Sequence, residues 1–386
     1  MILGAGIYQA PLIKKAKGMG LFVIVSSING KYPGFDFSDR NYYVDTTDKE
    51  RILEIAKQEG IDGICTTGTD VAVPTIGYVC DNMNLPGISY DDACTASNKF
   101  LMKKAFKEHC VTTADFFLVK DPDSFREGFN RINESKAIAK IVDKSGSRGI
   151  VVVDKDTDFD KLFDTLIKQT NKDYFLIEQY IEGMEIGIDA FVVDGKAKLI
   201  IPHDKLVYLL NGVGIPSGHI VPSEYSDTIN QKIVDEVNKI VKAYNIHNGA
   251  LNIDAFIKDN DVYIIEAGAR CGATGIPEII SASTGIDYYK QIINASLGIK
   301  CEVDFTHISP CASMLIFSDK TGSYNGIDLP SIDGMTYEMN VKKGDHVLAV
   351  EDGTDRIGQI IVSASDRDKL LRKIETIRNG IRLDIV

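Results

Sequence analysis

Residues Gly249–Arg270 read GALNIDAFIKDNDVYIIEAGAR. Two alternating runs, Ala250–Ile257 and Val262–Glu266, flank the polar tip Lys258-Asp259-Asn260-Asp261, which is a hairpin pattern. Each run brings a carboxylate, Asp254 or Glu266, to the same end of a sheet inside apolar sequence. Like charges repel and their burial is costly, so such a pair does not serve stability. A bound cation resolves the conflict. Hard oxygen ligands suit Mg²⁺, which keeps several waters and takes the rest of its shell from phosphates. The hairpin therefore predicts a Mg²⁺–nucleotide site, with Arg270 placed to meet a phosphate or a carboxylate.

Outward from the hairpin, the chain of 386 residues is too long for one ordinary domain. Residues 1–94 alternate strand and helix signals: Met1-Ile2-Leu3, a helix with Leu12, Ile13 and Ala16, the strand Leu21–Val25, the helix Lys49–Glu59 and the strand Ile61–Thr66. This βαβ series predicts a parallel sheet, with ligands outside the carboxyl ends of its strands, where Thr67-Gly68-Thr69-Asp70 lies. The first strand starts almost at once, so native residues upstream of Met1 or a misassigned start are expected. Ser97 is expected to cap a basic helix, Asn98–His109. Residues 112–180 read as a small α+β unit, and a long amphipathic helix covers Asp227–Tyr244. Beyond residue 301 strands dominate, closed by the helix Asp366–Arg378.

A net charge of −12 argues against a nucleic-acid partner. The seven cysteines show no CxxC and the six histidines no HExxH. Without a signal peptide or long apolar stretch, a cytoplasmic protein with reduced thiols and no membrane contact is expected.

Other motifs are individually ambiguous. Gly4-Ala-Gly6 opens a GxGxxG-like turn, but Gln9 stands at the last glycine position, so nicotinamide binding is disfavoured. Lys144-Ser145-Gly146-Ser147-Arg148-Gly149, between two strands, is an ordinary hairpin tip or a phosphate lid. Lys140, inside the strand Ala137–Val142, faces solvent or a bound anion. Glu178-Gln179-Tyr180-Ile181 closes a strand before Glu185, a connector that offers backbone groups to an adenine edge. His203-Asp204-Lys205 reads as a solvated turn or as a cation for a transferred phosphate. Cys271 has no base beside it in sequence and reads as packing.

The order of these features, from Lys99 through Lys140, the glycine tip, EQYI with Glu185, HDK and the acidic hairpin with arginine, resembles the ATP-grasp superfamily, in its biotin carboxylase and carbamoyl-phosphate synthase-like branch. The resemblance implies an α/β and α+β fold in three parts. These are an N-terminal parallel-sheet substrate domain at 1–94, a two-lobed ATP-grasp domain at 95–300 with a mobile lid at about 112–180, and a β-rich C-terminal domain at 301–386. It implies ATP and Mg²⁺ (or Mn²⁺) as cofactors. Lys99 and Lys140 would bind ATP phosphates, with Ser145, Gly146, Ser147, Arg148 and Gly149 as the lid. Glu178, Gln179 and Ile181 would line the adenine site and Glu185 the ribose. Lys205 would reach the γ-phosphate, Asp254 and Glu266 the metal, and Arg270 the acyl phosphate or incoming carboxylate. The implied activity is an ADP-forming ligase joining a small carboxylate to an amine, such as an amino-acid ligase, with a homodimer as the family expectation. The alternatives are a purine-biosynthesis ligase, a bicarbonate-using carboxylase and a non-catalytic ATP-binding protein. The sequence departs from the family at Gly268, where E-x-N-x-R usually places asparagine. It departs again at Arg270–Glu278, where the phosphoribosylglycinamide enzyme carries an RFGDPE-like stretch.

Overall fold

A computed structural model describes residues 1–143, 149–210, 213–351 and 353–386. The acidic hairpin forms the edge of its largest sheet. Strands Gly249–Lys258 and Asp261–Gly268 pair antiparallel around Asp259 and Asn260, whose φ angles of 51° and 62° are the left-handed pair a tight two-residue hairpin turn requires. Inward from that edge lie Met184–Val193, Lys196–Leu210, Val213–Val221, Cys311–Ile316, Gly358–Ser363 and Met335–Met339, eight strands in all. The sheet therefore crosses residue 300 without a break. Alternation gives it two different faces. One face buries Ile186, Ile188, Leu251 and Ile253 in a core shared with Phe106, Ile233 and Val237, which come from helices Lys99–Glu108 and Ser226–Ala243. The other face carries Gly187, Asp189, Asn252, Asp254, Glu266 and Gly268.

The N-terminal parallel sheet is Ile2–Leu3, Ile24–Ser27 and Arg40–Tyr43. Its second strand starts three residues later than the β-branched run predicts. The strand expected at Ile61–Thr66 reduces to one rung, Ile2↔Cys65, because its partner is two residues long. The glycine turn is closed by Gln9: its Oε1 accepts from Gly6 N at 3.0 Å and its Nε2 donates to Thr67 O at 2.5 Å. The amide that would face a dinucleotide phosphate is thus already used.

The lid-like unit is a four-stranded sheet, ordered Phe116–Val119, Phe175–Gln179, Lys136–Lys140, Ile150–Asp154, with helices Pro122–Ile132 and Phe159–Ile167 packed through Phe125, Phe159 and Phe175. Ser145, Gly146, Ser147 and Arg148 lie outside the described residues; Gly149 turns at φ 70°.

Two local expectations are corrected. The cap of the basic helix is Asn98, whose side chain accepts from Phe100 N and Leu101 N, while Ser97 ends the preceding helix, Tyr90–Ser97. His203-Asp204-Lys205 is neither turn nor loop but the middle of the 15-residue strand Lys196–Leu210. Its polar run reads as loop because both faces of the strand are polar here: His203 and Lys205 lie on the site face, while Asp204, on the other, accepts from Ser223 and Arg367. Helices Val73–Met83 and Ile276–Thr284 and strands Val213–Val221, Gly322–Asp328 and Arg382–Ile385 were not anticipated. Among the described residues no helix is long and apolar enough to cross a membrane.

Candidate active site

Cross-strand register places Asp254 directly opposite Glu266 on one side and Gly187 on the other, and Gly187 opposite His203. The two carboxylates are each neutralised by a lysine. Lys205 Nζ lies 2.6 Å from Asp254 and 2.6 Å from Glu185, and Lys99 Nζ lies 3.1 Å from Glu266. Burial pushes the Asp254 carboxyl up, with Glu266 adding to the shift against the pull of Lys205. Burial also acts on Glu266, but Lys99, Lys140 and Arg270 bring it down to about 2. Burial works against the Lys205 charge, yet Asp254 and Glu185 hold its pKa above the ordinary value. Glu266 is thus ionised and Lys205 charged near neutrality, whereas Asp254 holds its proton more readily than a free aspartate.

Lys99, Asp254 and Glu266 face a cavity of about 550 Å³ also lined by Asp70, Tyr90, Asp143, Lys172 and Arg270. Arg270 is oriented from behind. Its NH1 donates to Asn252 Oδ1 at 2.5 Å and its NH2 to Asp70 Oδ2 at 2.7 Å. Asn252 Nδ2 in turn donates to Asp189 Oδ2 at 2.9 Å, and the fully buried Asp189 accepts from Gly272 N at 2.9 Å and meets His203 Nε2 at 3.1 Å. His203 stacks edge-on to the buried His219, 4.6 Å between centroids. Gly187 permits this arrangement: a Cβ there would lie 2.0 Å from His203 Cε1. Gly187→Ala is therefore expected to destabilise the protein by about 1–3 kcal/mol through overpacking. A denaturant melt checks it, and an unchanged midpoint would mean His203 can move aside.

A second charged group joins the lid-like unit to the large sheet. Glu178 is buried between Lys103 at 3.1 Å and Lys140 at 2.8 Å. Burial raises the Glu178 carboxyl, and the two lysines more than reverse it, leaving it below the ordinary value. Burial lowers Lys103 to about 8, partly offset by Glu178. Lys103 Nζ also donates to Thr113 Oγ1, which donates to Ile264 O, each at 2.6 Å, tying the unit to the acidic hairpin. Lys140 is thus a buried cation and does not face solvent. Ile181 is buried, and Gln179 ends its strand with Nε2 3.4 Å from Glu134. Cys271 is buried in the apolar core beneath the N-terminal unit.

Of the residues singled out in the sequence, Lys99, Lys205, Glu185, Asp254, Glu266 and Arg270 come together, and Lys140 pairs with Glu178 nearby. Asp70, Asn252, Lys103, Asp189 and His203 were not assigned to the site. Asn252 was findable, because it lies two residues before Asp254 and so on the same strand face. Asp70 and Lys103 depend on tertiary packing alone.

A family model described as the ATP-grasp domain matches residues 133–278. The carbamoyl phosphate synthase large chain of Thermoanaerobacter sp. is 26% identical over 367 residues, 86% of this chain and 32% of its own length. The central part of the chain, residues 133–278, is thus similar to an ATP-grasp domain. The chain spans about a third of the length of that large chain. The phosphoribosylglycinamide synthetase of Anaerococcus prevotii superposes with TM-score 0.86 at 29% identity, covering 100% of this chain and 98% of the other. The L-amino acid ligase of Bacillus licheniformis shares the fold, with TM-score 0.80 and 18% identity over 100% and 98% of the two chains.

Proposed function

We propose that this chain is an ATP- and Mg²⁺-dependent ligase that joins a carboxylate to an amine through an acyl phosphate and releases ADP. The observation that carries the reading is the in-register pair Asp254 and Glu266, each held by a lysine, in one cavity with Arg270. The donor set fits Mg²⁺: two hard carboxylate oxygens on one sheet face. Among the described residues no third acidic, His or Cys side chain joins them. That suits an ion whose remaining shell is water and phosphate oxygen. When bound, Mg²⁺ supplies charge neutralisation at the transferred phosphate.

The chain's own residues supply the rest. Lys99 and Lys140 meet ATP phosphates, and Glu178, Gln179, Ile181 and Glu185 border the nucleoside, with Ser145 to Gly149 as the lid. Lys205 approaches the γ-phosphate and offsets charge that builds there. Arg270, fixed by Asn252, holds the carboxylate in line. A carboxylate oxygen attacks the γ-phosphorus, the bond to the ADP oxygen breaks, and the acyl phosphate forms. The amine nitrogen then attacks the acyl carbon, phosphate leaves, and the amine proton passes to solvent. No side-chain nucleophile is required.

The likeness to phosphoribosylglycinamide synthetase favours a second reading, in which glycine is the carboxylate and phosphoribosylamine the amine. Phosphate release from Mg·ATP across crossed panels of carboxylates and amines tests both, with phosphoribosylamine plus glycine and bicarbonate among the arms. Release is expected only when one carboxylate and one amine are present together. Release with bicarbonate alone, or none in any arm despite bound Mg·ATP, would overturn the ligase assignment.

A further inference from the structure

The loop Thr67–Asp70 leaves the N-terminal sheet and is tied across the cavity: Gly68 N donates to Cys271 O at 3.3 Å and Thr67 Oγ1 to Tyr8 O at 2.8 Å. This brings Asp70 against Arg270, where Oδ2 takes the 2.7 Å ion pair. Asp70 Oδ1 and Arg270 Nε are both buried without a hydrogen-bond partner. An acceptor with negative charge and a donor with positive charge are thus unsatisfied side by side on one cavity wall, an arrangement that costs free energy unless a ligand completes it. Gly268 makes the room. A Cβ at 268 would lie 2.5 Å from Asp70 Oδ1, so a larger residue there would push the Asp70 carboxylate out of this position.

We propose that Asp70 and Arg270 together recognise the acyl substrate as an α-amino acid zwitterion, Arg270 taking the carboxylate and Asp70 the ammonium. This rests on the ligase reading above and deepens it. Because the two side chains touch, the opposite charges that satisfy them must be only a few bonds apart, as in an α-amino acid. Bicarbonate and simple carboxylates leave Asp70 facing no cation. An ammonium paired with Asp70 stays protonated and has no lone pair to attack an acyl phosphate, so the nucleophile is a second amine. In the absence of substrate Asp70 holds Arg270, and the arriving carboxylate exchanges for it.

The test replaces the amine with hydroxylamine, which attacks the acyl phosphate carbon, expels phosphate and leaves a measurable hydroxamate. Wild-type protein with Mg·ATP is offered α-amino acids and their desamino counterparts, glycine against acetate and alanine against propionate, with ADP and hydroxamate both followed. At least one amino acid is expected to exceed its desamino partner about tenfold or more in kcat/KM, as a charge-assisted contact requires. In Asp70→Asn the amino-acid KM rises about 10- to 100-fold with a smaller change in kcat, and the preference over the desamino acid collapses toward one. Asp70→Glu, which keeps the charge, restores part of it. Titration calorimetry with Mg·ATP verifies that the variants retain the nucleotide site. Equal use of desamino acids or bicarbonate by wild type, or an unchanged preference in Asp70→Asn, overturns the zwitterion assignment and leaves the ligase standing. No ADP from any carboxylate overturns both.

Discussion

Glu266→Gln is expected to reduce ADP formation by about 100- to 1000-fold or more, the scale on which loss of one preorganised electrostatic partner acts. The substitution keeps the shape of the side chain and removes its charge. Glu266 is held at about 2 by Lys99, Lys140 and Arg270, so it is fully ionised at any working pH. An amide there removes the charge that Lys99 meets at 3.1 Å and halves the negative charge offered to a divalent cation. The fold does not depend on it. The side chain is about a third exposed to the cavity, and the hairpin is set by its turn and by the apolar face beneath. The melting temperature is therefore expected to stay within a few degrees, because substitutions outside a packed core cost about 0.5 kcal/mol or less. ADP release in a coupled assay and a circular-dichroism melt on the same preparation read both quantities. Turnover at the wild-type rate would show that the metal is not held here.

The hairpin was legible because two independent signals agree in it: period-two alternation and a turn pair, Asp259-Asn260, that accepts left-handed backbone. Regular pairing from that turn would set Asp254 opposite Ile265; a register shift between Asp254 and Ala255 brings Glu266 opposite it instead, and the alternation does not report that bulge. The middle of the sheet was less legible. Lys196–Leu210 continues through three polar residues, and alternation alone does not tell a polar site face from a polar loop. Asp70 belongs to a part of the chain 200 residues away from Arg270. Nothing local to the TGTD loop reports that contact; it arises because the N-terminal unit shares an apolar core with helix Ile276–Thr284, helix Tyr288–Ser296 and the large sheet. Gly268 was read as a departure from the asparagine of the E-x-N-x-R pattern. The structure shows a geometric reason for it, since Asp70 takes the space. Lys140 was ambiguous for a related reason: a lysine in an apolar strand faces solvent unless a buried acid awaits it, and Glu178 lies on a strand 38 residues further along.

Glu178→Ala is expected to destabilise the protein by about 3–5 kcal/mol, the range found when one partner of a buried ionic group is removed. Lys103, Lys140 and Glu178 are all nearly inaccessible to solvent, and the carboxylate is the shared counter-ion of both lysines. Without it, two cations remain buried and unpaired, and desolvation already lowers Lys103 to about 8. The pH dependence follows from that shift. The unfolded chain, with its lysine near the ordinary value of 10.5, holds more protons than the folded one between about pH 8 and 10.5. The Lys103 contribution to stability therefore improves as pH rises through this window, and below it the full burial cost is felt. Glu178 acts in the other direction: its pKa is depressed, so its stabilisation is present above the unfolded value and lost as pH falls through the folded one. In Glu178→Ala the acid-side loss disappears and the alkaline gain grows, because Lys103 gives up its proton sooner. Denaturant melts carried from well below pH 4.5 up to about pH 10 read both slopes. The triple variant Lys103→Met, Lys140→Met, Glu178→Leu replaces the charges with apolar volume and is expected to recover most of the stability. If Lys140 also meets the nucleotide, that variant still binds Mg·ATP at least about tenfold more weakly, as loss of a charge-assisted phosphate contact requires. A Glu178→Ala protein that melts like wild type would mean that water reaches the two lysines. Full Mg·ATP affinity in the triple variant would confine Lys140 to packing and move the phosphate site elsewhere on the sheet.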